Sequence, residues 1–278
     1  MAGRALVLGG GGVTGVAWEL GILAGLAEAG IDLSNADLIV GTSAGSVVAA
    51  QITTGDSLDS LYERQLTGFG AEVTTRLRIG TILKLAWATV GTRDAQKGRA
   101  RVGAMALAAR TPPEAERRAI VAARLPVHEW PHRKVLITAV AADDGEFVAF
   151  DRESEAALVD AVGASCAVPG VWPPVTVNGR RYVDGGMRSP ANVDLAAGYD
   201  RVVVLAPITR GFGRGTGVAA QVAALPKGTR AVVVAPDRAA RTAIGRNVLD
   251  PAHRAPAARA GRRQADDLVK KVGAVWAS

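Results

Sequence analysis

Twice within the first 45 residues a short apolar run stops at a glycine-bearing turn and gives way to a helix-compatible stretch, and this constrains the fold more than any other feature of the chain. Residues 4–8 (Arg-Ala-Leu-Val-Leu) end at Gly9-Gly10-Gly11-Gly12, and residues 37–41 (Asp-Leu-Ile-Val-Gly) run into Thr42-Ser43-Ala44-Gly45. Apolar runs this short, bounded by turn residues, read as buried strands. Residues 13–29 are apolar almost all round, which predicts a helix buried on every side, with Gly30 as its stop. Residues 46–54 predict a second helix. A β-α-β-α start is the signature of a parallel sheet with helical crossovers, hence of an α/β fold.

The same grammar returns later. Residues 134–142 and 146–151 flank Asp143-Asp144-Gly145 and predict a hairpin. Residues 180–183 predict a strand that enters Asp184-Gly185-Gly186, and 201–206 and 230–235 predict two more buried strands. Residues 155–164 and the arginine-rich tail 238–277 read as helical, and Pro169, Pro173 and Pro174 mark a loop. Residues 56–133 interrupt the pattern with charged helical stretches, arginine-rich from Arg93 to Arg118. They read either as a helical cap inserted into the sheet domain or as an ordinary run of surface helices.

Bulk properties exclude several classes. The chain of 278 residues suits one large domain or two small ones. Its charge of +7 comes without zinc-finger spacing or an aromatic RNA-binding motif, so nucleic acid is not expected as a partner. The bland reading of the charge is solvated arginine faces; peripheral contact of 93–118 and 238–263 with anionic lipid is the sharper one. The lone Cys166 excludes an internal disulfide and fits a reducing cytoplasm. Ala27-Glu28-Ala29 mimics a leader cleavage site, but Gly9–Gly12 and Glu19 break the apolar segment before it. No uncharged apolar stretch reaches 18 residues, so no membrane span is expected.

Three motifs carry chemistry. Gly9-Gly10-Gly11-Gly12-Val13-Thr14-Gly15 places bare backbone N–H groups at a helix N-terminus, where they bind negative charge. That charge is either a pyrophosphate, as Gly10-x-Gly12-x-x-Gly15 would suit, or a tetrahedral oxyanion. Gly41-Thr42-Ser43-Ala44-Gly45 is a Gly-x-Ser-x-Gly sequence between strand and helix, the setting of a nucleophile elbow. The alternative is that Thr42 or Ser43 merely caps the next helix. Asp184-Gly185-Gly186, taken alone, is an ordinary turn.

In this order the three motifs resemble those of the patatin-like phospholipases, as do Ala164-Ser165-Cys166-Ala167-Val168-Pro169-Gly170-Val171-Trp172-Pro173-Pro174-Val175 and Gly179-Arg180-Arg181-Tyr182-Val183-Asp184. The resemblance spans roughly residues 4–205; Thr14 departs from it, where many bacterial members carry a basic residue. It implies a three-layer α/β/α fold with a mostly parallel sheet and a helical insertion. Residues 4–205 would be the catalytic domain, with 56–133 inserted, and 206–278 would complete the same domain. It implies a serine acyl hydrolase acting on phospholipid, lysophospholipid or neutral glyceride esters, without cofactor or metal. Ser43 would attack the ester carbonyl, Asp184 would take its proton, and the N–H groups of Gly10, Gly11 and Gly12 would hold the oxyanion. Gly41, Gly45, Gly185 and Gly186 would shape the turns. A histidine triad is not expected: His253 reads as a surface residue of the tail, and His128 and His132 flank Trp130-Pro131 in a loop.

Two other classes compete. A Rossmann-type oxidoreductase needs an acidic residue ending the second strand, but Asp32 and Asp37 precede that strand. A non-enzymatic lipid binder on a degenerate hydrolase fold conflicts with the intact Ser43 and Asp184.

Overall fold

The computed structural model describes residues 3–68, 94–213 and 215–276; much of the stretch 56–133 read as an insertion, residues 69–93, lies outside these. Among the described residues β1 (Arg4–Leu8), β2 (Leu38–Gly41), β3 (Lys134–Ala141), β4 (Phe147–Phe150), β5 (Val175–Val177), β6 (Arg180–Asp184), β7 (Arg201–Leu205) and β8 (Arg230–Val234) form one sheet. Its order is β5-β6-β3-β2-β1-β7-β8, with β4 also paired to β3. Strands β8, β7, β1, β2 and β3 are mutually parallel; β4 and β6 run antiparallel to β3.

Both faces of the sheet are covered, because alternate side chains of each apolar run point opposite ways. Leu6, Leu8, Ile39, Val203 and Leu205 enter the core on one face; Ala5, Val7, Val40, Val202 and Val204 enter the core on the other. The first face is covered by α1 (Gly12–Glu28), α2 (Ala44–Ile52), α3 (Leu58–Thr67), α5 (Glu114–Ala122), α6 (Leu158–Ser165), α8 (Arg238–Ile244) and α9 (Arg254–Trp276). The second is covered by α4 (Ala95–Leu107), α7 (Val218–Ala223) and a 3-10 turn at Val193–Ala196. The architecture is the expected three-layer α/β/α fold.

Helix α1 is buried all round because α9 covers the side turned away from the sheet. A Cβ on Gly21 would lie 2.2 Å from the Ala258 carbonyl oxygen, so the two helices meet backbone to backbone. The Trp18 indole N–H donates to Gln264 Oε1 (2.9 Å) across the same seam. The tail read as one helical stretch is thus two helices, α8 and α9, joined through a 3-10 turn at Pro251–His253.

Strand β5 and helix α7 were not among the expected elements. Asn178 and Gly179, both at positive φ, close a two-residue hairpin from β5 to β6. Asn-Gly is the strongest short-range hairpin signal, so this strand is announced in the sequence by its turn and not by its own three residues.

The sheet topology brings Asp184 to the right end of the molecule by an unexpected route. Strand β6 runs antiparallel to β3 in an otherwise mostly parallel sheet. Ile137 pairs with both Gly41 and Phe150, and Ala139 with both Asp184 and Val148. Strands β2 and β6 therefore share one edge of β3, with β4 on the other. Strand β3 overshoots the end of β2, and β6 returns along the vacated edge until its carboxyl end meets that of β2. Gly41 and Asp184 end up two β3 residues apart, about 7 Å along the strand.

Candidate active site

The β2–α2 junction turns at Ser43, which holds φ 52° and ψ −116°. A non-glycine residue in that conformation stores roughly 1–3 kcal/mol and persists only where its surroundings over-determine it. Those surroundings come from the end of α6 and from α2 itself. The Ser43 N–H donates to Ser165 Oγ (2.9 Å), and its carbonyl accepts from Ser46 Oγ (2.6 Å) and Cys166 Sγ (3.2 Å). Close packing demands the flanking glycines: a Cβ on Gly45 would sit 2.2 Å from the Leu8 carbonyl oxygen, and one on Gly41 2.6 Å from Ser46 Cα. The Ser43 hydroxyl makes no capping bond to α2, and Thr42 Oγ1 is turned inward to accept from Thr138 and Asn192 (both 3.0 Å). The helix-cap reading of these residues therefore fails.

Asp184 is buried, and its Oδ1 accepts the Gly186 N–H at 2.7 Å. Burial pushes its carboxyl up to about 7, against the opposing pull of the Ser43 hydroxyl and the Gly186 N–H, which favour the charged form. A carboxylate poised near neutrality beside a serine hydroxyl is suited to accept a proton from it.

The glycine loop divides its donors. Gly9 N–H is shared between Leu205 O and Glu19 Oε1 (both 2.9 Å), and Gly10 N–H is held by Pro190 O at 2.7 Å. Gly10 was expected as an oxyanion donor; in this arrangement its N–H already has a short bond within the protein. Gly11 and Gly12, at the N-terminus of α1, have no such backbone acceptor among the described residues. Gly12 needs to be glycine: its φ is +60°, and a Cβ would lie 2.6 Å from the Val248 carbonyl oxygen. Behind the loop, Glu19 is fully buried, desolvation raises its pKa well above the usual carboxylate value, and its Oε1 accepts the Gly9 N–H.

Two residues that the sequence reading passed over hold these pieces together. Asn192, in a left-handed conformation, holds its amide nitrogen within 3.0–3.4 Å of Thr42 Oγ1, Thr138 Oγ1, Gly185 O and Ser189 O, acceptors for its two N–H donors. It ties the elbow, β3 and the Asp184 turn to one point. Ser165 fixes the Ser43 N–H as described. Asn192 lies outside every run quoted above, and Ser165 lies in the run from Ala164 with no role marked there; only the fold brings them to the site.

Ser43, Asp184, Gly10, Gly11, Gly12 and Gly186 line one cavity of about 340 Å³; Gly41, Gly45 and Gly185 lie behind it as packing positions. Its walls are mainly apolar, with Val16, Val47, Ile120, Trp172, Phe212 and Leu249 among them, and with Arg117 and Arg124 on one side. Cys166 also borders it, but burial and the Asp184 charge push its thiol up to about 11, which leaves it protonated and unreactive. The histidines are elsewhere: His253 Nδ1 bonds Ala243 O (2.7 Å), His128 Nε2 bonds Ala122 O (3.0 Å), and His132 meets Arg152. Asp32 caps the turn at Leu33–Asn35 and Asp37 accepts from the Arg4 N–H (2.7 Å). Both lie at the amino ends of the strands, opposite the glycine loop, where neither could meet a ribose held there. The arginine-rich segments are not simple solvated faces: Arg117 and Arg254 are buried, and Arg118 and Arg262 pair with Asp160 and Glu28. Among the described residues no helix is long and apolar enough to cross a membrane.

A strained serine turn, a buried aspartate and a glycine-lined helix N-terminus thus come together at one end of a three-layer α/β/α scaffold. The family model of the patatin-like phospholipases matches residues 6–197, and the chain belongs to that family. No curated protein matches the chain in sequence. Among solved structures it is similar to VipD from Legionella pneumophila, at 13% identity and a TM-score of 0.49, over 98% of this chain and 67% of that one. It is also similar to the type III effector protein ExoU, at 16% identity and a TM-score of 0.46, over 98% of this chain and 53% of that one, about half its length.

Proposed function

We propose that this chain is a serine acyl hydrolase that cleaves carboxylic ester bonds of lipids, with Ser43 as nucleophile and Asp184 as its base. The observation that carries the reading is the strained Ser43 turn facing a buried carboxyl in the same cavity. Ser43 Oγ attacks the ester carbonyl carbon while its proton passes to Asp184. The resulting oxyanion is met by the Gly11 and Gly12 N–H groups, each donor contributing about 3 kcal/mol. The tetrahedral intermediate collapses, the leaving alcohol takes the proton from Asp184, and an acyl-serine remains. Asp184 then deprotonates a water that attacks the acyl carbonyl; the second tetrahedral intermediate breaks its bond to Ser43 Oγ, which takes the proton back from Asp184, and the fatty acid is released. The apolar wall of the cavity suits an acyl chain. In this reading residues 4–205 form the catalytic unit, and residues 206–278, through β8, α8 and α9, complete the same domain.

The test is hydrolysis of a p-nitrophenyl acyl ester and a short-chain diacyl lipid by wild type and Ser43→Ala, with fluorophosphonate labelling of Ser43 as a second readout. Turnover and labelling are expected to vanish in the variant. Wild-type turnover by Ser43→Ala would sink the assignment.

A further inference from the structure

Arg117 and Arg254 are the buried arginines among the described residues, and of the two Arg117 lines the Ser43 cavity. Arg188, Arg180 and Arg262, each partly exposed, face carboxylates of Asp194, Asp143 and Glu28. Arg117 is 95% withdrawn from solvent (5% exposed), yet among the described residues no carboxylate pairs with it and its Nε has no acceptor. A buried guanidinium without a counter-charge is costly, and proteins retain one where something else supplies the anion. Burial lowers its pKa to about 10, so it remains cationic at neutral pH.

Its position is also fixed. Cζ lies 3.9 Å from the centroid of the Trp172 ring, so the indole covers one face of the guanidinium, and both side chains line the cavity. Helix α5, which carries it, is clamped at two points, and the turn after it at a third. Glu114 accepts from the Thr176 N–H (2.6 Å), Arg118 pairs with Asp160 (2.6 Å), and Gln51 of the elbow helix donates to Arg124 O (2.8 Å). Arg117, Trp172 and Arg124 line the same cavity as Ser43, and the like charge of Arg124 adds to the positive field on that wall.

We infer that Arg117, stacked on Trp172, is a specificity-determining residue that holds an anionic phosphate ester of the acyl substrate while Ser43 meets its carboxylic ester. The inference rests on the hydrolase reading of Ser43 and adds the polar end of the substrate to it. A guanidinium edge binds phosphate oxygens through two parallel N–H bonds, which an uncharged glyceride cannot offer.

The experiment compares kcat/KM for dihexanoyl phosphatidate and dihexanoylglycerol, which share acyl chains and differ in the phosphate. In Arg117→Gln the phosphatidate-to-glyceride ratio should fall about tenfold or more, the effect of losing a charged hydrogen-bonded pair. Equal loss on both substrates would overturn the inference, since a packing role on Trp172 predicts that. If Arg117→Gln does not fold, Arg117→Lys carries the test: an ammonium cannot make the paired bond, so its ratio should also fall, and an unchanged ratio overturns the claim. Calorimetric binding to Ser43→Ala separates the two readings. Phosphatidate should bind this variant and lose about tenfold when Arg117→Gln is added, whatever Ser43 does chemically. Inorganic phosphate binding as tightly as phosphatidate would overturn the lipid-borne source.

Discussion

Replacing Asp184 with Asn should stabilise the protein while it abolishes turnover, and the gain should depend on pH in a defined way. Burial raises the Asp184 pKa from 3.8 to about 7. The folded state then keeps a proton that the unfolded chain releases between those values. The Asp184 contribution to stability is accordingly highest below pH 4, falls as pH rises towards 7, and is level above it. At about 1.4 kcal/mol per pH unit, the ionised carboxylate costs the fold about 4 kcal/mol at pH 8. Asparagine carries no such charge and can still accept the Gly186 N–H. Urea unfolding of wild type and Asp184→Asn from pH 4 to pH 8.5 should show a difference that starts small and grows to about 2–4 kcal/mol in favour of the variant. Glu19, also buried with a raised pKa, is common to both proteins and cancels in the difference. Over the same range, wild-type kcat/KM should climb about tenfold per pH unit below 7 and level above it, because only the ionised base accepts the Ser43 proton. A pH-independent stability difference, or a variant less stable than wild type at pH 8, would refute the buried-base argument.

Other substitutions test the scaffold. Ser43→Gly should abolish turnover yet raise stability by about 1 kcal/mol, since glycine adopts φ 52° without strain; a loss in urea midpoint would contradict that. Gly45→Ala should cost about 3 kcal/mol or more, because its Cβ meets the Leu8 carbonyl at 2.2 Å and the strand cannot yield; a stability near wild type would show that α2 can shift away from β1. Asn192→Ala should cost about 2–4 kcal/mol and slow ester turnover together, since the buried Thr42 and Thr138 hydroxyls lose their shared donor; retention of both properties would remove it as the anchor of the site.

The sequence by itself determined the elements that depend on local pattern. Short apolar runs gave β1, β2, β3, β7 and β8, and the Gly-x-Ser-x-Gly turn after β2 marked Ser43 as an elbow residue. These were legible because burial on two faces and sharp turns limit which residues a short segment can carry. Asp184-Gly185-Gly186 was legible only in company, since an Asp-Gly turn alone says nothing about chemistry. The tertiary structure decided the rest. That β6 returns antiparallel along the edge vacated by β2, and so delivers Asp184 to Ser43, is a matter of pairing between distant strands. The withdrawal of Gly10 by Pro190, the anchoring of the elbow by Ser165 and Asn192, and the seclusion of Arg117 against Trp172 are contacts across 55 to 180 residues of chain. A side chain's neighbours at such separations follow from packing, not from the residues beside it, and the raised proton affinity of Asp184 follows chiefly from its burial in that packing.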